Sequence, residues 1–305
     1  MGLRQGCVMS PWLFNLYMDG VVREVNARVE GQGLEMIREN GEKWEVSQLL
    51  FADDTALVAG SEEGLRKLVT EFEKVCERRK LKINVGKSKV MRCTRGESDS
   101  RLEVSIKGER LEEVDSFRYL GANVAGKGGV GVEVECRLRE ASKCLGGLKS
   151  VMRNRHLGMV AKRRLYEGVI VPTAMYGAET WNMREEERRS LNVFEMKCLR
   201  SMIGVTRMDR VRNEEVRRRT GVERELGDRV DERVLRWYGH MERMSEDRLV
   251  KEVWKAEVEG KNMKGRPRMR WMDGVKGALQ KRGMSVEEGR ERTEDRGEWR
   301  RVVYG

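Results

Sequence analysis

Two adjacent carboxylates, Asp53 and Asp54, stand between two short apolar runs in the segment QLLFADDTALVA, residues 48–59. This pattern predicts a β-hairpin with both aspartates at its turn, anchored in a buried sheet by the flanking apolar side chains. Two carboxylates fixed on such a turn can coordinate Mg²⁺, which often shares its oxygen ligands with substrate phosphates. A site of this kind supports phosphoryl or nucleotidyl transfer. The structural alternative is an ordinary solvated turn, which aspartate also favours.

The elements that must position this turn are helices and short strands. Ser10 is expected to cap a helix over residues 11–29, because Pro11 suits a first helical turn and apolar spacing continues beyond it. Ser61 is expected to cap a second helix, whose apolar face contains Leu65, Leu68, Val69, Phe72, Val75 and Cys76. Alternation predicts a strand at 81–85 and further short strands at 102–106 and 110–120. This order predicts an α+β unit, in which helices cover one face of an antiparallel sheet.

The remainder of the chain has a helical pattern. Four glycines within residues 126–131 predict a linker, because glycine is costly inside a regular element. Helical spacing then predicts one helix through Leu138 and Met152, a second that stops at Gly204, and a third near 225–244.

Composition excludes several classes of protein. The chain has 305 residues, 39% hydrophobic and 37% charged, with only three prolines, which is typical of a folded, helix-rich protein of one or two domains. No apolar run exceeds four residues, so neither a membrane span nor a secretory signal is expected. Six scattered cysteines and two histidines argue against a zinc site or a disulfide scaffold. The expected location is therefore intracellular, either nuclear or cytoplasmic.

Positive charge is concentrated in the second part of the chain. Residues 1–125 contain 20 basic and 21 acidic side chains, whereas residues 126–305 contain 42 and 30. Arginine outnumbers lysine there by 31 to 11, and arginine suits bidentate contact with phosphate. The asymmetry indicates either nucleic-acid binding or a helical surface with many ion pairs.

Several segments together resemble the reverse transcriptases of non-LTR (LINE-like) retrotransposons, in the order found there. The segments are Gly2 to Asn15 with its glutamine-glycine and serine-proline pairs, FADD at 51–54, Leu81 to Lys89, and Phe117 to Gly121. Further segments similar to the tails of such elements are Tyr176 to Trp181, Arg236 to His240, Gly265 to Trp271 and Asp295 to Arg301.

The resemblance implies a role for each matching residue. It places Gln5, Gly6, Ser10 and Pro11 near the incoming nucleotide and the template, and Asp53 and Asp54 at the catalytic metal. It makes Lys89 or Lys87 a general acid for pyrophosphate, and assigns Phe117, Tyr119, Leu120 and Gly121 to a primer grip. The alternative for Lys87 and Lys89 is that they lie at a solvated strand end. The alternative for Phe117 and Tyr119 is that they fill a core.

The resemblance also implies an architecture and a set of partners. A partial polymerase palm would occupy residues 1–125, a helical thumb 126–210, and a basic helical C-terminal region 211–305. The partners would be an RNA template, a DNA primer, deoxynucleoside triphosphates and Mg²⁺, while the oligomeric state stays open. In the family, the first catalytic aspartate and the fingers precede the glutamine-glycine segment. Because this sequence starts at that segment, the expectation is a fragment that is inactive alone.

A basic stretch near the C-terminus suggests a second, non-catalytic function. Lys264, Arg266, Arg268 and Arg270 surround a Gly-Arg-Pro sequence, a pattern typical of side chains that enter a DNA minor groove. This interpretation makes the chain a nucleic-acid-binding protein with a palm remnant as scaffold. Residues 217–219 form another arginine cluster, for which an ion-paired helix is an equal alternative. The tryptophans in this region are expected to be core residues of small helices, with base stacking as the alternative.

Overall fold

A computed structural model describes residues 6–93, 101–258 and 269–305, which form two compact units. The first unit contains the described residues up to Leu120 together with residues 246–258. The second unit contains Gly121–Ser245 and residues 269–305. The functional divisions predicted after residues 125 and 210 stay predictions.

Helices and short strands both occur, which agrees with the predicted α+β class. The helices in chain order are α1 (Ser10–Asn26), α2 (Glu62–Arg78), α3 (Gly131–Gly147), α4 (Lys149–Arg153), α5 (Met159–Leu165), α6 (Val171–Ala174), α7 (Glu185–Ile203), α8 (Asn213–Thr220), α9 (Leu226–Glu242), α10 (Leu249–Lys255), α11 (Trp271–Gln280), α12 (Val286–Thr293) and α13 (Arg296–Tyr304). The strands are β1 (Leu34–Ile37), β2 (Lys43–Val46), β3 (Gln48–Phe51), β4 (Asp54–Leu57), β5 (Lys89–Val90), β6 (Ser105–Ile106), β7 (Glu109–Arg110), β8 (Glu112–Glu113), β9 (Ser116–Tyr119), β10 (Ala122–Ala125) and β11 (Glu257–Val258). Within the three described ranges, every helix is too short or too polar to cross a membrane.

The strands of the first unit pair in several small sheets instead of the single antiparallel sheet that the sequence predicts. Strand β1 pairs antiparallel with both β2 and β11, while β3 pairs with β4, and β6 with β7. Strand β5 pairs parallel with β8, so that Lys89 lies opposite Glu112. Strand β11 also shows that the region beyond residue 211 is not purely helical.

Helices α1 and α2 form the main core of the first unit. Their buried side chains are Met18, Val21 and Val25 from α1 and Leu68, Phe72, Val75 and Cys76 from α2. The predicted cap of α2 is confirmed, because Ser61 Oγ accepts a hydrogen bond from the Gly64 amide at 3.0 Å. The predicted cap of α1 is wrong: Ser10 is the first helical residue, and the preceding Met9 makes no side-chain cap. Helix α1 also ends three residues before the expected position.

The strand predicted at 81–85 does not form. Residues 81–84 are irregular, and Val85–Lys87 is a 3₁₀ helix. Asn84 explains the difference, because its side-chain oxygen accepts a hydrogen bond from the Lys87 amide at 3.2 Å and closes a local turn. The apolar residues Leu81 and Ile83 nevertheless pack against the core, so their alternation reports burial without sheet pairing.

The second unit is built mainly from helices. The glycine-rich stretch precedes α3, and the helix predicted through Leu138 and Met152 divides into α3 and α4 after Gly147. The predicted stop of α7 at Gly204 is confirmed, since Gly204 has the left-handed φ of 72° that favours glycine at this position. Helix α9 lies at the centre of the unit, where α7, α11, α12 and α13 pack against it.

Candidate functional site

The two aspartates lie at the tip of the hairpin formed by β3 and β4. Phe51 pairs with Asp54, so Ala52 and Asp53 form a two-residue loop. Ala52 adopts a left-handed φ of 52°, which two-residue hairpin turns commonly require at their first position. The predicted hairpin is therefore confirmed.

The hairpin is not part of a buried sheet, and this part of the sequence interpretation is wrong. Leu49 is 42% exposed, Leu50 37% and Phe51 63%, and both aspartates are exposed. Among the described residues, β3 and β4 pair only with each other. The two apolar runs showed which residues are apolar, but they did not show whether another layer covers them. Both carboxylates consequently face water and are accessible to a charged ligand.

Tyr119, a predicted primer-grip residue, lies beside this hairpin. Its hydroxyl donates a hydrogen bond to the Leu49 carbonyl at 3.4 Å. Burial raises the pKa of the Tyr119 phenol, and the negative charge of Asp54 raises it further. The structure therefore brings together a predicted metal-binding residue and a predicted primer-contacting residue. Phe117 and Leu120 are more exposed, at 37% and 39%, and are accessible for a ligand.

Gly121, the last predicted primer-grip residue, is fixed by a cluster that the sequence interpretation missed. Arg137 donates a hydrogen bond to the Gly121 carbonyl and lies 4.6 Å from the ring centroid of Tyr176. Glu133 accepts hydrogen bonds from both the backbone and side-chain amides of Asn123 at 2.7 Å and ion-pairs with Arg137. Gly121 has φ of 83°, and a Cβ there would meet Tyr176 at 3.3 Å. The only sequence signal for this cluster was the four-residue spacing of Glu133 and Arg137, which puts them one helical turn apart.

The described residues do not form a metal centre of their own. Asp53 and Asp54 are two carboxylates, and nowhere in the described ranges do three or more His, Cys, Asp or Glu side chains gather as metal ligands. Mg²⁺ requires six oxygen ligands in octahedral geometry, which waters and substrate phosphates can complete. The donor set therefore fits a metal ion only in the presence of another source of oxygen ligands.

The predicted general acid, Lys89, is engaged elsewhere. Its ammonium lies 2.5 Å from Glu112 Oε2, across the parallel pair β5 and β8. Lys87 is exposed in the short 3₁₀ helix that precedes β5.

The predicted nucleotide-binding segment is described from Gly6 onward, and Gln5 lies outside the described residues. Gly6 is exposed with φ of 86°, and a Cβ on it would meet nothing within 4 Å. Pro11 is exposed in the first turn of α1, and the Ser10 amide donates to the Cys7 carbonyl at 3.2 Å. The backbone at Gly6 is thus open to close approach by a ligand.

The predicted basic stretch lies mostly outside the described residues, which exclude Lys264, Arg266 and Arg268. Arg270 is exposed immediately before α11, and its backbone amide donates to Asp273. For residues 217–219 the ion-paired interpretation is confirmed, because Arg217 pairs with Glu195 while Arg218 and Arg219 pair with Glu215.

Trp299 lies in the core of the second unit, as expected. Trp299 is 3% exposed and donates its indole hydrogen to the Leu235 carbonyl at 3.1 Å. Its indole lies so close to α9 that a Cβ on Gly239 would come within 2.0 Å of it. Trp271 donates to the Glu179 carbonyl at 2.9 Å. The described residues of the tail segments identified in the sequence thus pack around α9.

Comparison with known proteins identifies relatives for both parts of the chain. A family model described as reverse transcriptase (RNA-dependent DNA polymerase) matches residues 1–124. A transposon-derived protein of Caenorhabditis elegans is 26% identical over 278 residues, covering 88% of this chain and 98% of that protein. A retrovirus-related Pol polyprotein from type-1 retrotransposable element R1 of Nasonia vitripennis is 26% identical, covering 83% of this chain and 71% of the polyprotein. The corresponding polyprotein from element R2 of the same organism is 27% identical over 142 residues, covering 44% and 13%.

Proposed function

We propose that this chain binds a primer and template and does not extend the primer by itself. The premise is that the chain belongs, through residues 1–124, to the reverse transcriptases of non-LTR retrotransposons. The proposal rests on one observation: the hairpin presents two exposed carboxylates, without a third metal ligand beside them in the described part of the chain. Two-metal nucleotidyl transfer uses ions about 3.5–4 Å apart that clamp the attacking and leaving oxygens. Two neighbouring carboxylates are too few ligands to fix both ions.

The proposed ligands are an RNA template and a DNA primer. The primer end would lie near Tyr119 and the exposed Phe117, beside the hairpin that carries Asp54. Mg²⁺ would join Asp53 and Asp54 only together with the phosphates of a deoxynucleoside triphosphate, which supply the oxygens that the chain does not. Lys89 could act on pyrophosphate only after leaving Glu112. Free cysteines throughout the chain are consistent with an intracellular location, nuclear or cytoplasmic.

Primer extension by the purified full chain tests this proposal. The substrate is a DNA primer annealed to an RNA template, with Mg²⁺ or Mn²⁺ and all four deoxynucleoside triphosphates. We expect binding of the primer and template in a gel-shift assay and no incorporation above background. The double variant Asp53→Asn, Asp54→Asn should behave like the wild type in binding without metal.

A matched control separates catalysis from contamination. Asp19 is an exposed aspartate on α1 that pairs with Arg23, so Asp19→Asn removes an exposed carboxylate that is not part of the turn. Incorporation that persists in Asp19→Asn and disappears in the double variant would refute the proposal and assign polymerase activity to the hairpin.

A non-catalytic nucleic-acid-binding function is the second candidate. The net charge of residues 126–305, +12 against −1 for residues 1–125, favours it. In that case the double aspartate variant should retain all measurable function, whereas loss of arginines from the second unit should weaken binding and its salt dependence.

A further inference from the structure

A cavity of about 320 Å³ lies in the second unit, and four of its eight lining residues are arginines. Arg229, Arg233 and Arg236 come from α9, and Arg224 from the segment just before it. The spacing of four and three residues along α9 is the helical spacing that puts side chains on one face. This spacing was the available sequence signal, although the sequence interpretation did not use it.

The arginines are only partly neutralised. Arg224 lies 2.9 Å from Glu232, the one acidic residue of the lining. Arg229 lies 3.4 Å from Glu167. The lining itself therefore has four positive charges and one negative charge.

Arg233 and Arg236 are the least balanced of the four. Arg233 donates to the Met175 carbonyl at 2.7 Å, and its nearest carboxylate, on Glu179, is 4.0 Å away. Burial lowers the pKa of Arg233, and the neighbouring charge of Arg236 lowers it further, against the opposite effect of Glu179. Arg236 is exposed and has no ion-pair partner among the residues that the structure describes. An anion placed between these two guanidinium groups would relieve their repulsion.

We propose that this cavity binds a phosphate group of a nucleic-acid strand. A guanidinium group matches the geometry of a phosphate with two parallel hydrogen bonds, and several arginines converge here. The volume is at the lower end of the range of about 300–1,000 Å³ for small-molecule sites, which accommodates one nucleotide unit. Tyr304, 38% exposed at the cavity, offers an aromatic face against which a sugar or base can pack.

A free nucleotide or pyrophosphate offers the same phosphate group as a nucleic-acid strand. The experiment distinguishes a strand from these free ligands. Neither Asp53 nor Asp54 lines the cavity, so phosphate binding there needs no polymerase activity, and the experiment measures binding without primer extension. The probe is a fluorescently labelled single-stranded RNA oligonucleotide, titrated with the full chain at several salt concentrations. Inorganic pyrophosphate and a deoxynucleoside triphosphate are tested as competitors.

The test compares two arginines on the surface of the second unit. Arg236→Gln removes a cavity charge, and Arg189→Gln removes an exposed arginine of α7 that has no ion-pair partner within the described ranges and does not line the cavity. We expect Arg236→Gln to weaken RNA binding about tenfold, as loss of a charge-assisted hydrogen bond does. The slope of log affinity against log salt should fall by about 0.7, the value for one phosphate on a single strand. Arg189→Gln should change neither quantity measurably.

Circular dichroism checks that each variant keeps its fold, and Arg229→Gln provides a second cavity variant in the same assay. Equal losses in the Arg236 and Arg189 variants would overturn the proposal, as would wild-type RNA binding without salt dependence or no binding at all. A further contrary result is competition by pyrophosphate or a deoxynucleoside triphosphate at a concentration far below that of unlabelled RNA, counted per nucleotide, that competes equally. That result would assign the cavity to a free phosphate ligand and overturn its assignment to a strand. Polyglutamate competing as well as RNA would also overturn it.

Discussion

Replacement of Arg217 by alanine is expected to destabilise the second unit strongly. Glu195, on α7, is fully buried. Its carboxylate accepts hydrogen bonds from Arg217 at 2.7 Å, from the Tyr166 hydroxyl at 2.9 Å and from the Leu226 amide at 3.2 Å. Arg217 is the partner that balances its charge. Without that guanidinium, a carboxylate away from water keeps only the hydrogen bonds from Tyr166 and Leu226 and loses its counter-charge.

The expected size of the effect follows from this burial. Removing one partner of a buried ion pair costs about 3–5 kcal/mol. For a unit of 150–250 residues each kcal/mol shifts Tm by roughly 2–4 °C, so Arg217→Ala should lower Tm by roughly 6–20 °C. Thermal unfolding of the full chain followed by far-ultraviolet circular dichroism measures the shift.

Arg218→Ala is the matched control. Arg218 lies next in the sequence, in the same helix, and its pair with Glu215 is on the surface, with 74% of the arginine side chain exposed. Its removal should leave Tm unchanged, because water already solvates both charges. In a Glu195→Gln background, Arg217→Ala should cost much less than it does alone. A Tm shift below about 2 °C for Arg217→Ala, the smallest shift expected for a loss of about 1 kcal/mol, would refute the reasoning.

Two further predictions concern packing and thiol chemistry. Gly239→Ala would place a Cβ 2.0 Å from the Trp299 indole, and should lower the free energy of unfolding in urea by roughly 1–3 kcal/mol. Gly146→Ala, whose Cβ meets nothing within 4 Å, should raise it by about 0.5–1 kcal/mol, and equal effects would contradict the packing argument. Burial raises the pKa of the Cys198 thiol to about 12 from 9.0, so the unfolded chain ionises first as pH rises between these values. The free energy of unfolding should therefore fall over this range by up to about 1.4 kcal/mol per pH unit because of this thiol. The fall should be smaller in Cys198→Ala, and identical pH profiles of the wild type and this variant would show that the thiol is not involved.

The local part of the structure could be predicted from the sequence. The hairpin at Asp53 and Asp54 follows from two apolar runs around a polar turn. Ser61 begins α2 and Gly204 ends α7, because the cap hydrogen bond and the left-handed backbone depend on a few neighbouring residues. The family resemblance, which also depends on short segments in order, is confirmed by the match of residues 1–124.

Other features could not be predicted because they depend on which distant residues meet. The alternation at 81–85 predicted a strand, but the Asn84 side chain closes a turn there, and Leu81 and Ile83 are partly buried against the core without strand pairing. The exposure of Phe51 depends on whether another layer covers the hairpin, and no local pattern contains that information.

The sequence by itself determined the reverse transcriptase relationship, the hairpin that presents the carboxylates and the location of the excess positive charge. Only the tertiary structure decided what individual basic residues do. It paired Arg217 with buried Glu195, engaged Lys89 with Glu112, and left Arg236 at a cavity without an ion-pair partner in the described part of the chain. The physical reason is that the effect of a charge depends on its distance to other charges and to water, which the order of residues along the chain does not specify.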